Sequence, residues 1–225
     1  VVALSLFVLT LGLGLPNAQA QTASDYTWRN VAIGGGGYTT QVYVHPQNAD
    51  LVYVGTDVGG MYRYDATSGR LKQLISRPPE EDNLYGCAGI ALHPTDQNIV
   101  YYGGGKYSGG VQKLFKSTNK GDSWTLIDVP SDSTSSASWN VNSGDVNYRF
   151  GKRIVLNPAN SSQLFVGFSN KGLYRRDFDS ATASTGSWTR ITSIPNSGAV
   201  NAIVFDPSNS NNVYVAMFNG GVYRS

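Results

Sequence analysis

A single cysteine, Cys87, stands among 225 residues, so the chain can form no internal disulfide. It lies in the apolar run YGCAGIALHP, where a buried packing thiol is expected rather than a nucleophile. Charge is scarce as well. Asp, Glu, Lys and Arg make up 14% of the chain and the formal net charge is +2. Without a basic cluster there is no electrostatic case for a nucleic-acid partner. The 2 histidines, His45 and His93, each precede a proline at the end of an apolar run, where turn capping is expected. No metal-ligand spacing is present, and no cofactor is expected. Sustained helical periodicity is missing after residue 20. The one long apolar run, Val1 to Leu15, is short for a membrane span, and Pro16 breaks it. Ala18-Gln19-Ala20 supplies the small residues of a cleavage site. Residues 1–20 therefore read as a secretory signal peptide, with a membrane anchor as the alternative. With neither an initiating Met nor a basic n-region, it is expected to be N-terminally clipped. The mature chain is expected to begin near Gln21, to be secreted and to keep no membrane segment.

What the chain has in quantity is glycine (26) and tyrosine (14), a mix that suits an extracellular all-β protein. One phrase occurs four times. QVYVHPQNADLVYVGTDVGGMYRYD starts at Gln41, GIALHPTDQNIVYYGGGKYSGGVQKLFKS at Gly89, RIVLNPANSSQLFVGFSNKGLYRRD at Arg153, and AIVFDPSNSNNVYVAMFNGGVYRS at Ala202. Each copy is an apolar strand, a proline turn, a second strand, a glycine turn and a third strand. Pro46, Pro94, Pro158 and Pro207 cannot donate to a sheet ladder and end the first strand. Val52-Tyr53-Val54 and Val213-Tyr214-Val215 are β-branched and aromatic, as a pleated sheet favours.

The prolines are separated by 48, 64 and 49 residues. A repeat of that length with several strands is the signature of a β-propeller blade. The longer interval holds the Ser- and Asn-rich stretch PSDSTSSASWNVNSGDVN, read as an inserted loop. A β-sandwich is the competing fold, but a sandwich would not repeat its sequence in this way. The expectation is an all-β, incomplete propeller of about four blades over residues 21–225. Blade-like repeats fall near 41–65, 89–124, 153–188 and 202–225. STNKGDSW, Ser117 to Trp124, is an Asp-box, in which Asn119 bonds across the turn, Gly121 takes the strained angle and Trp124 packs. STGSW, Ser184 to Trp188, looks like a degraded second copy. Trp28 and Trp188 are assigned to blade packing.

The first and fourth copies align without gaps, Gly59-Gly60 on Gly220-Gly221 and Tyr62-Arg63 on Tyr223-Arg224. Asp57 then falls on Phe218, and in the third copy on Ser169. The hairpin folds without an acid here, so Asp57 is added to the repeat. Two readings stay open on this comparison, a solvated turn acid and a carboxylate held out for chemistry.

The stretch YTWRNVAIGGGGYTTQVYVHPQNADLVYVGTDVGGMYRYD, Tyr26 to Asp65, resembles the opening of the family 74 glycoside hydrolases, the xyloglucanases. The likeness continues through YGCAGIALHPTDQNIVYYGGGKYSGG, the Asp-box and NYRFGKRIVLNPANSSQLFVGFSNKGLYR. It implies two seven-bladed propellers facing each other across a cleft for a β-1,4-glucan. It also implies glycosidic hydrolysis with inversion, Asp57 as the general base, and a general acid from a second propeller. The 225 residues then correspond to part of the first propeller and are expected to be inactive alone. A plant cell-wall polysaccharide is the expected partner, bound by a monomer.

Aromatic rings hold sugars by burying their C–H faces. Tyr38, Tyr85, Tyr107 and Trp139 are candidates on loops, and Arg149 could donate to hydroxyls. For each tyrosine the plainer reading is a half-buried strand or turn residue. The rival function is a non-catalytic Asp-box propeller, sortilin-like, acting in binding or assembly. A sialidase would need an arginine cluster and a tyrosine nucleophile.

Overall fold

A computed structural model describes residues 27, 28, 30, 31, 37–75, 86–105, 113–130, 151–169, 171–180 and 183–225. The chain divides into two units, Val1–Asn30 and Val31–Ser225. In the first, Trp28 is 86% exposed.

The second unit is built from four antiparallel meanders. The first contains β1 (Thr39–His45), β2 (Asn48–Thr56), β3 (Met61–Asp65) and β4 (Arg70–Gln73). The second contains β5 (Cys87–Leu92), β6 (Val100–Gly104), β7 (Lys113–Ser117) and β8 (Thr125–Ile127). β9 (Ile154–Asn157), β10 (Asn160–Phe168), β11 (Gly172–Phe178) and β12 (Gly186–Arg190) form the third. The fourth has three described strands, β13 (Val200–Phe205), β14 (Val213–Met217) and β15 (Gly221–Arg224). The first strands of successive sheets, β1, β5, β9 and β13, are neighbours in space. This is the blade arrangement of a β-propeller.

Apolar residues concentrate between blades. Tyr53 and Met61 of the first blade pack with Ile90, Val100 and Tyr102 of the second. Ala91 and Tyr101 pack with Leu164 and Phe168 of the third, and Leu173 packs with Ile203 and Val215 of the fourth. Alternation explains this, since successive strand residues face opposite neighbours. Cys87 belongs to the first of these layers. Burial pushes its thiol up to about 12, so it is the packing residue the sequence suggested.

The residue before each proline caps the turn behind it. His45 Nδ1 accepts from the Gln47 amide at 3.2 Å, and His93 Nδ1 from the Asp96 amide at 2.8 Å. Asn157 Oδ1 accepts from Ala159 at 3.0 Å and Asp206 Oδ1 from Ser208 at 2.8 Å. The histidines are thus turn caps, as expected from their place before proline.

The Asp-box folds as its motif requires. Ser117 Oγ accepts from the Gly121 amide at 2.8 Å, Asn119 Oδ1 accepts from the Ser123 amide at 2.9 Å, and Gly121 has φ +90°. Lys120 also has positive φ, 59°, and its carbonyl reaches back to the first blade. It accepts from Arg63 Nη1 at 2.6 Å and Tyr53 Oη at 3.2 Å. Trp124 lies 5.8 Å from the Tyr102 ring. In the degraded copy, Trp188 Nε1 donates to the Asp128 carbonyl at 2.9 Å, and its ring meets Phe168 edge-on at 6.0 Å. Trp188 therefore packs between blades as assigned.

Candidate active site

Asp57 sits in the turn from β2 to β3. The backbone amide before β1 holds it: Tyr38 N–H donates to Asp57 Oδ1 at 2.6 Å, and Asp57 N–H donates to the Tyr38 carbonyl at 3.0 Å. The Asp57 side chain is half-buried, and the adjacent Val58 is exposed. A carboxylate accepting a backbone N–H keeps its fixed direction through a charge-assisted bond. Gly37 makes this approach possible. Its φ is +120°, and a Cβ there would stand 3.1 Å from both Asp57 Oδ1 and Thr56 Cβ.

The turn itself is closed from within. Thr56 N–H donates to the Gly60 carbonyl at 2.9 Å, and Thr56 Oγ1 donates to the same oxygen at 3.1 Å. Gly59 N–H donates to Thr56 Oγ1 at 2.8 Å. Gly60 has φ +80°, a conformation that favours glycine. From β4, Gln73 Nε2 donates to the Gly59 carbonyl at 2.9 Å.

The second blade abuts this turn through Gly86. The Gly86 carbonyl accepts from Gly105 N–H at 2.7 Å and from Tyr102 Oη at 3.1 Å. A Cβ on Gly86 would lie 2.8 Å from the Asp57 carbonyl oxygen. The backbone of the catalytic candidate therefore forms one wall of a slot that only glycine fits.

Strand register gives the equivalent position in every blade. Thr39 pairs with Thr56, Cys87 with Gly104 and Val200 with Met217, each followed by a one-residue bulge in the first strand. The next residue is Asp57, Gly105 or Phe218, and each donates its N–H to the residue before the first strand, Tyr38, Gly86 or Ala199. In the third blade Phe168 ends β10, so Ser169 holds this place. The position after the second strand thus recurs in all four blades, and it holds a carboxylate in the first alone.

Tyr38 and Asp57 are brought together, although the contact uses the tyrosine's backbone. The Tyr38 ring is 61% exposed. Tyr85, Tyr107, Trp139 and Arg149 lie outside the described residues. Among the described residues no group of three or more His, Cys, Asp or Glu could hold a metal ion. Sequence reasoning missed Thr56, Gln73 and Gly86, whose roles depend on bonds across the turn. One signal was available for Thr56: Gly104, Phe168 and Met217 occupy its place in the other blades, so its hydroxyl is also an addition.

No protein-family model matches the chain. Among curated proteins it is 32% identical over 162 residues to a probable oligoxyloglucan-reducing end-specific xyloglucanase of Neosartorya fischeri. It is 30% identical over 176 residues to a xyloglucanase of a Paenibacillus species. These alignments take in 71% and 75% of this chain, but it spans only 19% and 16% of those relatives. Among solved structures, a GH74 xyloglucanase from Xanthomonas campestris superposes with a TM-score of 0.68 at 27% identity, over 89% of this chain and 30% of that one. A GH74 enzyme from Niastella koreensis gives 0.70 at 28% identity, over 87% of this chain and 29% of that one. A β-propeller domain from Myceliophteria thermophila shares the fold with a TM-score of 0.56 at 11% identity, over 84% of this chain and 52% of that one.

Proposed function

Starting from a chain homologous in sequence and in structure to the GH74 xyloglucanases, we propose that it carries the general base of a secreted, inverting glycoside hydrolase acting on xyloglucan or a related β-1,4-glucan. The observation that carries this reading is the single carboxylate at a strand-end position that recurs in four blades. Asp57 occurs where the other blades have Gly105, Ser169 and Phe218, and the fourth blade closes its turn without an acid.

In this mechanism Asp57 takes a proton from a water molecule as that water attacks the anomeric carbon. A second carboxylic acid gives a proton to the departing glycosidic oxygen, and the new C–O bond forms on the opposite face of the sugar. The two carboxyl groups must stand roughly 6.5 to 9.5 Å apart to admit the water. On this reading the acid belongs to a second propeller outside the 225 residues, across a cleft from Asp57. The Tyr38 amide holds Oδ1, which fixes the direction in which the carboxylate meets the water. Tyr38, Tyr85, Tyr107 and Trp139 supply rings for sugar stacking and Arg149 donates to hydroxyls.

The test is Asp57→Ala in the full-length protein that carries this chain. Hydrolysis of xyloglucan is expected to fall by about two to four orders of magnitude, the usual contribution of a general base. Binding should persist. Turnover at the wild-type rate would remove the assignment of Asp57 as the base.

A further inference from the structure

We propose that Thr56 is a positioning residue for Asp57, its hydroxyl locking the turn on which the base is carried. The inference rests on the reading of Asp57 as that base.

Thr56 has no exposed surface, so its hydroxyl cannot exchange its bonds for water. It uses both of its capacities, donating to the Gly60 carbonyl at 3.1 Å and accepting from Gly59 N–H at 2.8 Å. Together with the Thr56 N–H bond to the same carbonyl at 2.9 Å, this makes a closed ring from residue 56 to residue 60. Asp57 is inside that ring. Without the hydroxyl the turn keeps one bond across it, and the Gly59 amide loses its acceptor.

The fourth blade shows what a turn of this kind needs for folding alone. Gly104, Phe168 and Met217 precede the positions equivalent to Asp57, and none carries a hydroxyl. In the fourth blade the turn is closed by Gly220 N–H donating to the Met217 carbonyl at 3.3 Å. Backbone bonds therefore suffice for the hairpin. The hydroxyl clip and the carboxylate are adjacent residues, and both occur in the same one of four repeats. A base that must face a water within a few tenths of an ångström gains from a turn that cannot rock. A hairpin that only reverses the chain does not.

The experiment compares Thr56→Val, Thr56→Ala, Thr56→Ser and Asp57→Ala in the full-length protein, with xyloglucan as substrate. Valine keeps the shape and removes the hydroxyl. Expected for Thr56→Val is a kcat lower by about 10- to 100-fold, the scale of a small misplacement of a reacting group, with KM within about twofold of wild type. Thr56→Ser should restore most of kcat, because it keeps the donor and acceptor. The proposal is overturned if Thr56→Val keeps wild-type kcat, if its loss appears in KM alone, or if serine fails to rescue. It is also overturned if neither the valine nor the alanine variant folds, since the hydroxyl would then serve the fold itself. Asp57→Ala separates the two levels. If that variant is inactive while Thr56→Val is unimpaired, only the positioning role fails. If Asp57→Ala turns over normally, the base assignment fails and takes the inference with it.

Discussion

Replacing Gly86 with alanine tests the coupling between blade packing and the candidate base. The added methyl would stand 2.7 Å from the Gly105 carbonyl carbon and 2.8 Å from the Asp57 carbonyl oxygen, and closer still to the Gly105 oxygen. All three are backbone atoms, so no rotamer change can relieve the overlap. Two strands must move apart, and the Gly105 N–H bond to the Gly86 carbonyl, 2.7 Å in the native fold, must stretch or break. Overpacking of this kind costs about 1–3 kcal/mol, and a weakened buried hydrogen bond adds about 1 kcal/mol. A total destabilisation of about 2–4 kcal/mol is expected, read as a lower Tm or a lower urea midpoint. Because one wall of the slot is the Asp57 carbonyl, displacement should also reach the carboxylate. A shift near 1 Å would reduce kcat by about 100-fold. The assay is parallel thermal unfolding and xyloglucan hydrolysis on the full-length protein. Unchanged Tm and kcat in Gly86→Ala would refute both the packing geometry and the link to Asp57. A lower Tm with normal kcat would break the link alone.

Three further outcomes follow from the same geometry. Ser117→Ala removes the acceptor for the buried Gly121 amide and should destabilise the second blade by about 1–3 kcal/mol, measured by denaturant unfolding, with little change in KM. Burial lowers the pKa of His93 below its ordinary 6.5, and its Nδ1 must stay unprotonated to accept from Asp96. Its contribution to stability is therefore fully present above about pH 6.5 and is lost as pH falls toward the lower folded value. His93→Asn should keep the cap, as Asn157 does in its own turn, and flatten the dependence of Tm on pH in that window; an unchanged slope would refute it. Asp128→Asn weakens the ion pair with Arg176, 2.6 Å long with the guanidinium side buried, and should cost about 1–3 kcal/mol by leaving a buried charge poorly matched; a shift under 0.5 kcal/mol by urea unfolding would show that solvent replaces the carboxylate.

The sequence was most readable where one residue type has one physical reason to be there. A proline at 46, 94, 158 or 207 stops a strand, and the residue ahead of each caps the following turn. The three-strand grammar was therefore plain, but the outer strand was not. β4 is Arg70-Leu71-Lys72-Gln73, exposed over most of its length, and an edge strand facing solvent carries no apolar alternation to detect. Asp57 could be singled out because an internal repeat supplies its own control. Thr56 passed the same comparison unnoticed, since its significance lies in bonds to residues 59 and 60 that a linear alignment does not draw. Gly86 was hidden for a related reason, as the atoms that forbid a side chain there belong to another blade.

The Asp-box of the second blade points its Lys120 carbonyl backwards, to Arg63 and Tyr53 of the first. This loop is made later than the sheet it secures. During synthesis, the first sheet must wait for roughly fifty more residues before this fastening arrives. Until that loop emerges from the ribosome, the first sheet would lack this clasp and lie more open to proteases.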